Sequence, residues 1–186
     1  MGKLNPMTTT ATGRTYGIDP AHSEVGFAVR HLMIAKVRGH FTGFNGTIEL
    51  GANGDIPVKI DGTVDATTVA TREEKRDGHL RSADFFDVEN FPSITFASTS
   101  ITGSGTDFTV VGNLTLHGTT NSITLKGEVG GHTTDPWGND RVAYSATGRI
   151  KRGEFGITFN ANLETGGVMV SDEVDIVLDI QAVLKK

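Results

Sequence analysis

Apolar and polar residues alternate with a period of two through most of this chain, and glycine-rich turns interrupt the alternation at short intervals. A β-strand sends successive side chains to opposite faces. The pattern therefore describes strands with one apolar face and one wet face. EVGFAVRHL places Val25, Phe27, Val29 and His31 on one face, and VRGHFTGFNGTIEL follows after a short connection. An Asn53-Gly54 pair, the strongest short hairpin signal, leads into PVKIDGTVDA, which alternates Val58, Ile60 and Val64. SITFASTSI follows Pro92, a position where a missing amide does little harm. GSGTD turns the chain into DFTVVGNLTLH, and HGTTN turns it into SITLKGEV. A polar loop, GGHTTDPWGND, precedes RVAYSATGRI. The last strand, DEVDIVLDIQAVL, has Val174, Ile176, Leu178 and Ile180 on one face.

That makes eight strands. Only TREEKRDGHLRS reads as a helix, with Thr71 as N-cap and Glu74 three residues on. Residues 152–171 carry no clear period. One helix cannot cover eight apolar faces, so the sheet is expected to close on itself. The expected fold is all-β: an eight-stranded antiparallel barrel with one short helix after the third strand. A two-sheet sandwich is the alternative. Eight strands leave an interior that side chains fill or that holds one elongated ligand. If the apolar faces of the first two strands coincide, Phe27 lies across from Phe41 and His31 from Val37. His31 then points inward, and His40 points outward with Arg30.

The 186 residues suit one domain, expected over 16–186. Residues 1–15 read as a tail, disordered or left over from expression, with Met7 a candidate natural start. The absence of cysteine excludes disulfides, thiolate metal sites and cysteine nucleophiles. The net charge is −5 and the basic residues are scattered, so no nucleic-acid footprint is present. No apolar run approaches the roughly eighteen residues of a membrane span. The N-terminus lacks the apolar core of a signal peptide, so a cytoplasmic location is expected.

Six histidines, His22, His31, His40, His79, His117 and His132, invite a metal hypothesis. None shares the i, i+4 helical spacing of zinc sites, and solvated or hydrogen-bonded histidine is the simpler reading. No metal is assigned. Nucleophile elbows and phosphate loops are absent. Glu73 and Asp77 lie at i, i+4, which is common on a solvated helix face. No catalytic residue is assigned. Aromatic placement is more informative. Phe85, Phe86, Phe155 and Phe159 lie outside the strands, where they either plug a barrel end or line the mouth of a cavity.

Three long stretches, YGIDPAHSEVGFAVRHLMIAKVRGHFTGFNGTI (16–48), RDGHLRSADFFDVENFPSITF (76–96) and GNLTLHGTTNSITL (112–125), resemble the YceI-like, polyisoprenoid-binding family. FGI at 155–157 and VSDEVDIVLDI at 170–180 continue the resemblance, which covers about residues 16–184. It implies a lipocalin-like barrel with an apolar tunnel for a long isoprenoid chain, such as the tail of an isoprenoid quinone. The family's R-D-x-H-L motif is matched by Arg76, Asp77, His79 and Leu80, and its F-F-D segment by Phe85, Phe86 and Asp87. Many members carry a secretion signal, which this sequence does not show.

Alternation and resemblance together nominate a ligand-binding set. It comprises Phe27, Val29, Phe41, Phe44, Leu80, Phe85, Phe86, Ile94, Phe96, Leu114, Leu116 and Tyr144. Arg76, Asp77 and His79 are expected to be structural, with Arg76 paired to Asp77, Asp84 or Asp87. The expected function is binding, carriage or storage of an isoprenoid quinone or polyprenyl lipid, with no cofactor required. Transient membrane contact and a homodimer are the further partner expectations. An enzyme acting on an isoprenoid, with His79 or His31 as acid–base group, is the alternative. A third reading is a structural module whose barrel is filled by side chains.

Overall fold

The computed structural model describes residues 13–186. The expected tail therefore lies mostly outside the described residues, and the first strand, β1 (Arg14–Ile18), already begins at Arg14. β1 and β2 (Glu24–His31) are two halves of one stave. They are separated by a single 3-10 turn at Pro20–His22, where proline offers no amide and the Asp19 carboxylate accepts from Ala21 N at 3.0 Å. β3 (Ala35–Phe41) and β4 (Phe44–Leu50) form the second stave, bent at Thr42 and Gly43. β5 (Pro57–Asp65) and the two-residue β6 (Val69–Ala70) form the third, with a turn at Ala66–Thr68 capped by Asp65. The only α-helix among the described residues, α1 (Glu74–Arg81), follows. The remaining staves are β7 (Ser93–Ser104), β8 (Asp107–Leu116), β9 (Thr119–Thr134), β10 (Asp140–Lys151) and β11 (Val170–Leu184).

Every pairing is antiparallel, and β11 pairs with both halves of the first stave. The sheet is thereby closed into an eight-stave barrel with one helix after the third stave. The sandwich alternative is excluded by that closure.

Three local expectations are corrected. Phe27 faces Gly39, not Phe41, and His31 faces Ala35, not Val37. The shift is two residues, so each side chain keeps its face while its neighbour changes. Gly39 explains it: a Cβ there would collide with the outer end of the Phe27 ring, which occupies the space over the glycine. The same device recurs at Phe108, whose ring covers the directly opposite Gly127. Gly127→Ala is expected to force the Phe108 ring away and to lower stability by about 1–3 kcal/mol in urea denaturation. Unchanged stability would show that the ring yields freely.

The second correction is the helix start. Glu73, not Thr71, is the N-cap, and its carboxylate accepts from Arg76 N at 2.6 Å and Lys75 N at 3.1 Å. The third is Val58, which is exposed because the β4–β5 register slips between Glu49 and Leu50. The Asn53-Gly54 pair does join paired strands, but inside a longer loop, with Gly54 at φ 82°.

Candidate functional site

The barrel is not filled. An apolar cavity of about 290 Å³ runs through its interior, and the inward faces of the staves supply most of its wall. All twelve residues nominated from sequence line it: Phe27, Val29, Phe41, Phe44, Leu80, Phe85, Phe86, Ile94, Phe96, Leu114, Leu116 and Tyr144. On β2 the inward Phe27 and Val29 are only half-buried, while the outward Ala28 is 3% exposed. Inward side chains meet open space, whereas a small outward residue is covered by its neighbours. Val110, Ile123, Leu125, Ile150 and Ile157 also line the cavity without having been nominated. Val110 shares its alternation with Leu114 on β8 and Ile150 with Tyr144 on β10, while Ile123 and Leu125 alternate with each other on β9. Sequence reading also passed over Arg152, which has no periodic signal.

One end of the barrel is closed by chain rather than by strands. Phe85 is buried and packs in T-shaped fashion against Phe159, with centroids 5.3 Å apart. Phe86 instead meets Phe41 at 5.6 Å and Phe27 at 6.5 Å. Phe155 is fully buried and, with Ile157, packs into the same apolar cluster as Phe85, Leu114 and Leu116. Phe85 and Phe86 line the cavity, and Phe155 and Phe159 pack behind them.

Polar residues fasten this plug. Arg76 donates to Thr71 Oγ1 at 2.7 Å and to Thr71 O at 2.7 Å. The expected carboxylate partner is not used: Asp77 accepts from the Thr71 amide and hydroxyl, at 2.8 and 2.5 Å. Thr71, 4% exposed, sits between the two charges, so a single hydroxyl satisfies both. His79 bonds Asp84 at 2.8 Å and lays its ring against Phe85 and Phe159. Neither His79 nor His31 is among the cavity-lining residues.

Arg152 is the most unusual group here. It is 6% exposed and lines the cavity, yet it has no carboxylate within ion-pair distance among the described residues. Its guanidinium donates to the carbonyls of Ser171, Ile157, Phe159 and Val170, at 2.9, 3.0, 2.8 and 3.3 Å. Burial lowers its pKa from the ordinary value. Four carbonyl dipoles take the place of a counter-ion and gather the irregular 157–171 segment around one side chain.

The other end is latched electrostatically. His132, near the end of β9, bonds Asp55 of the 51–56 loop at 2.6 Å and also bonds Asp140 at the start of β10. Tyr16 donates to Asp140 at 2.9 Å, and Tyr144 donates to Asp55 O at 2.6 Å. Burial, and then the Asp55 and Tyr16 oxygens, push the Tyr144 pKa upward. The Asp55 hydrogen bond, reinforced by Asp140, raises His132 above its ordinary value of 6.5. A neutral imidazole has one N–H and can donate to only one of these carboxylates. The latch therefore stabilises the fold fully below pH 6.5, and its contribution is lost as pH rises through the raised folded value. Melting temperature should fall across that interval in the natural chain and change less in His132→Gln. Matching pH profiles for the two proteins would remove the latch from the account.

The cavity wall is thus mainly a hydrocarbon surface; of its polar members, Tyr144 and Arg152 are bonded to backbone carbonyls, and Asn45, Asp61 and Thr63 complete it at β4 and β5. Such a wall can take up an apolar chain. No helix among the described residues is long and apolar enough to cross a membrane.

Comparison with known proteins agrees with this geometry. Residues 16–182 match the model of the YceI-like domain. Protein YceI of Escherichia coli is 35% identical over 179 residues, which cover 95% of this chain and 91% of that protein. Among solved structures, BcnA of Burkholderia cenocepacia superposes with a TM-score of 0.76 at 21% identity, covering 88% of this chain and 98% of that one. A polyisoprenoid-binding domain from Saccharophagus degradans superposes with a TM-score of 0.67 at 16% identity, covering 91% and 98%. These last two share the fold. With a barrel closed around an apolar cavity and a family model matched over nearly its whole length, this chain belongs to the YceI-like domain family.

Proposed function

We propose that the protein binds one long-chain isoprenoid lipid, such as an isoprenoid quinone, in the barrel cavity and carries or stores it. The observation that supports this most is the wall itself: inward-facing residues from the barrel staves and the 80–86 segment are almost all hydrocarbon. Each buried methylene contributes about 0.8 kcal/mol, so one isoprene unit is worth a few kcal/mol before ordering costs. The likeness to a polyisoprenoid-binding domain supports the same ligand class. Binding of this kind needs no cofactor and no reacting group. An open cavity also speaks against the filled structural module.

The test is native mass spectrometry of the purified protein, with organic extraction to identify what it carries. A fluorescence titration with an isoprenoid quinone should be saturable. Ile123→Trp places an indole in the lumen and should weaken that binding by about 30-fold or more, the equivalent of losing one well-buried apolar side chain's contacts. Absence of any prenyl lipid in the extract, together with no saturable binding, would rule the proposal out. Turnover of an isoprenoid substrate that is lost in His79→Ala would favour the enzymatic alternative. Fractionation of cells would test the cytoplasmic location expected from sequence.

A further inference from the structure

We propose that the tip of the β2–β3 hairpin is a docking finger for an anionic lipid bilayer. Leu32, Met33 and Ile34 form this tip and are 39%, 52% and 82% exposed. They are consecutive, so they make one contiguous apolar patch rather than scattered exposure. The backbone also carries a cost there. Leu32 and Met33 adopt φ of 54° and 63°, and Ile34 N donates to His31 O at 3.2 Å across them. Tight turns with two positive φ values favour asparagine and glycine, and bulky apolar residues in that region are outliers. Neither folding nor solubility calls for large hydrocarbon side chains at these positions.

The flanking charges name the partner. Between Val25 and Ile48 the chain has Arg30, Lys36 and Arg38 and not one aspartate or glutamate, although its formal net charge is −5. Arg30 and Lys36 stand directly opposite each other in the hairpin, and Arg38 is opposite Ala28. All three therefore project from the outer face beside the tip. Like charges in directly opposed positions repel. Lys36 reaches Asp175 at 3.4 Å, while Arg30 and Arg38 have no ion-pair partner among the described residues. An apolar point flanked by two unpaired arginines, with a lysine shared with Asp175 beside them, is complementary to an interface of anionic headgroups over hydrocarbon.

Position adds the purpose. His31, at the base of the tip, pairs with Val170, and both Val29 and Val170 line the cavity. Docking through this tip would set the plugged end of the barrel against the bilayer, where an apolar chain could pass between membrane and cavity. The proposal stands apart from the cargo reading, because binding to vesicles needs no cargo.

The test is flotation of the full chain with vesicles of phosphatidylcholine, with and without phosphatidylglycerol. Binding is expected only with the anionic lipid, and should weaken with added salt. Removing the cations (Arg30→Gln, Lys36→Gln, Arg38→Gln) should weaken it about fivefold per charge. Met33→Ser with Ile34→Ser should weaken it about tenfold or more. These positions are exposed, so melting should stay unchanged and separate docking from folding.

Fluorescence fixes the orientation. Trp137 is the sole tryptophan in the chain and is 82% exposed. It precedes β10, at the end of the barrel away from the hairpin tip, roughly 40 Å distant along the length of β11. Its emission should not shift when vesicles are added, whereas Met33→Trp in a Trp137→Phe background should shift to the blue. No vesicle binding, binding indifferent to both sets of substitutions, or a blue shift at Trp137 would each overturn the proposal. So would a dimer that dissociates on the Met33→Ser and Ile34→Ser substitutions, since the tip would then serve a second copy of the chain.

Discussion

Arg152→Ala is expected to lower stability by about 3–5 kcal/mol, among the largest effects of any single substitution in this protein. The reason is the four backbone carbonyls that this one side chain satisfies, those of Ile157, Phe159, Val170 and Ser171. Hydrogen bonds to a charged group are stronger than neutral ones, and buried acceptors left empty keep their full desolvation cost. Arg152→Lys should recover only part of the loss. A lysine is a compact point charge with three donors, and it cannot reproduce the planar fork that reaches four acceptors. Scanning calorimetry should place the alanine variant about 10 °C below the natural chain. Ligand release should also accelerate, because the segment held by Arg152 closes one end of the cavity. Melting of Arg152→Ala within about a degree of the natural chain, on the same scale, would show that the segment is held by its apolar residues alone.

The second large effect separates two adjacent phenylalanines. Phe85→Ala should cost about 3–5 kcal/mol, since the ring is buried against His79 and Phe159 and its loss leaves a void behind the plug. Phe86→Ala should cost about half as much or less, because the half-buried ring borders space that is already open. Its effect should appear in ligand affinity instead, through lost contact beside Phe27 and Phe41. The paired measurement is melting of the ligand-free protein and titration with an isoprenoid quinone. A Phe86→Ala protein that melts lower than Phe85→Ala would reverse the assignment of plug and wall. Arg76→Ala should be milder than a broken ion pair, because its partner is Thr71 rather than a carboxylate.

These outcomes depend on features with unequal traces in the sequence. The period-two pattern determined which side chains face inward, since that period comes from the geometry of one strand and needs no partner. Phe27, Phe96, Leu114 and Tyr144 were therefore placed correctly on the cavity face even though the neighbour assigned to Phe27 was two residues off. A slip of two preserves the face, and only the fit of a ring over Gly39 distinguishes one register from the other. The first stave was read short: β1 has five residues and gains its identity by pairing with β4 and β11.

The polar fastenings were the least legible part. The Arg76–Asp77 neighbourhood was visible as a motif, but opposite charges nearby in sequence suggested an ion pair where the fold inserts Thr71. His132 and Asp140 face each other across one hairpin, but Asp55, from the 51–56 loop, reaches His132 only when the barrel closes. Arg152 sits in a segment without period, and its partners are backbone carbonyls, which every residue has and no sequence pattern marks. The sequence by itself determined the strands, their apolar faces and the family. The tertiary structure alone decided register, latch and buried cation, because each depends on which particular groups meet in space, through ring-on-glycine packing, hydrogen bonds to backbone carbonyls and the approach of the 51–56 loop, and the period of a strand carries none of that.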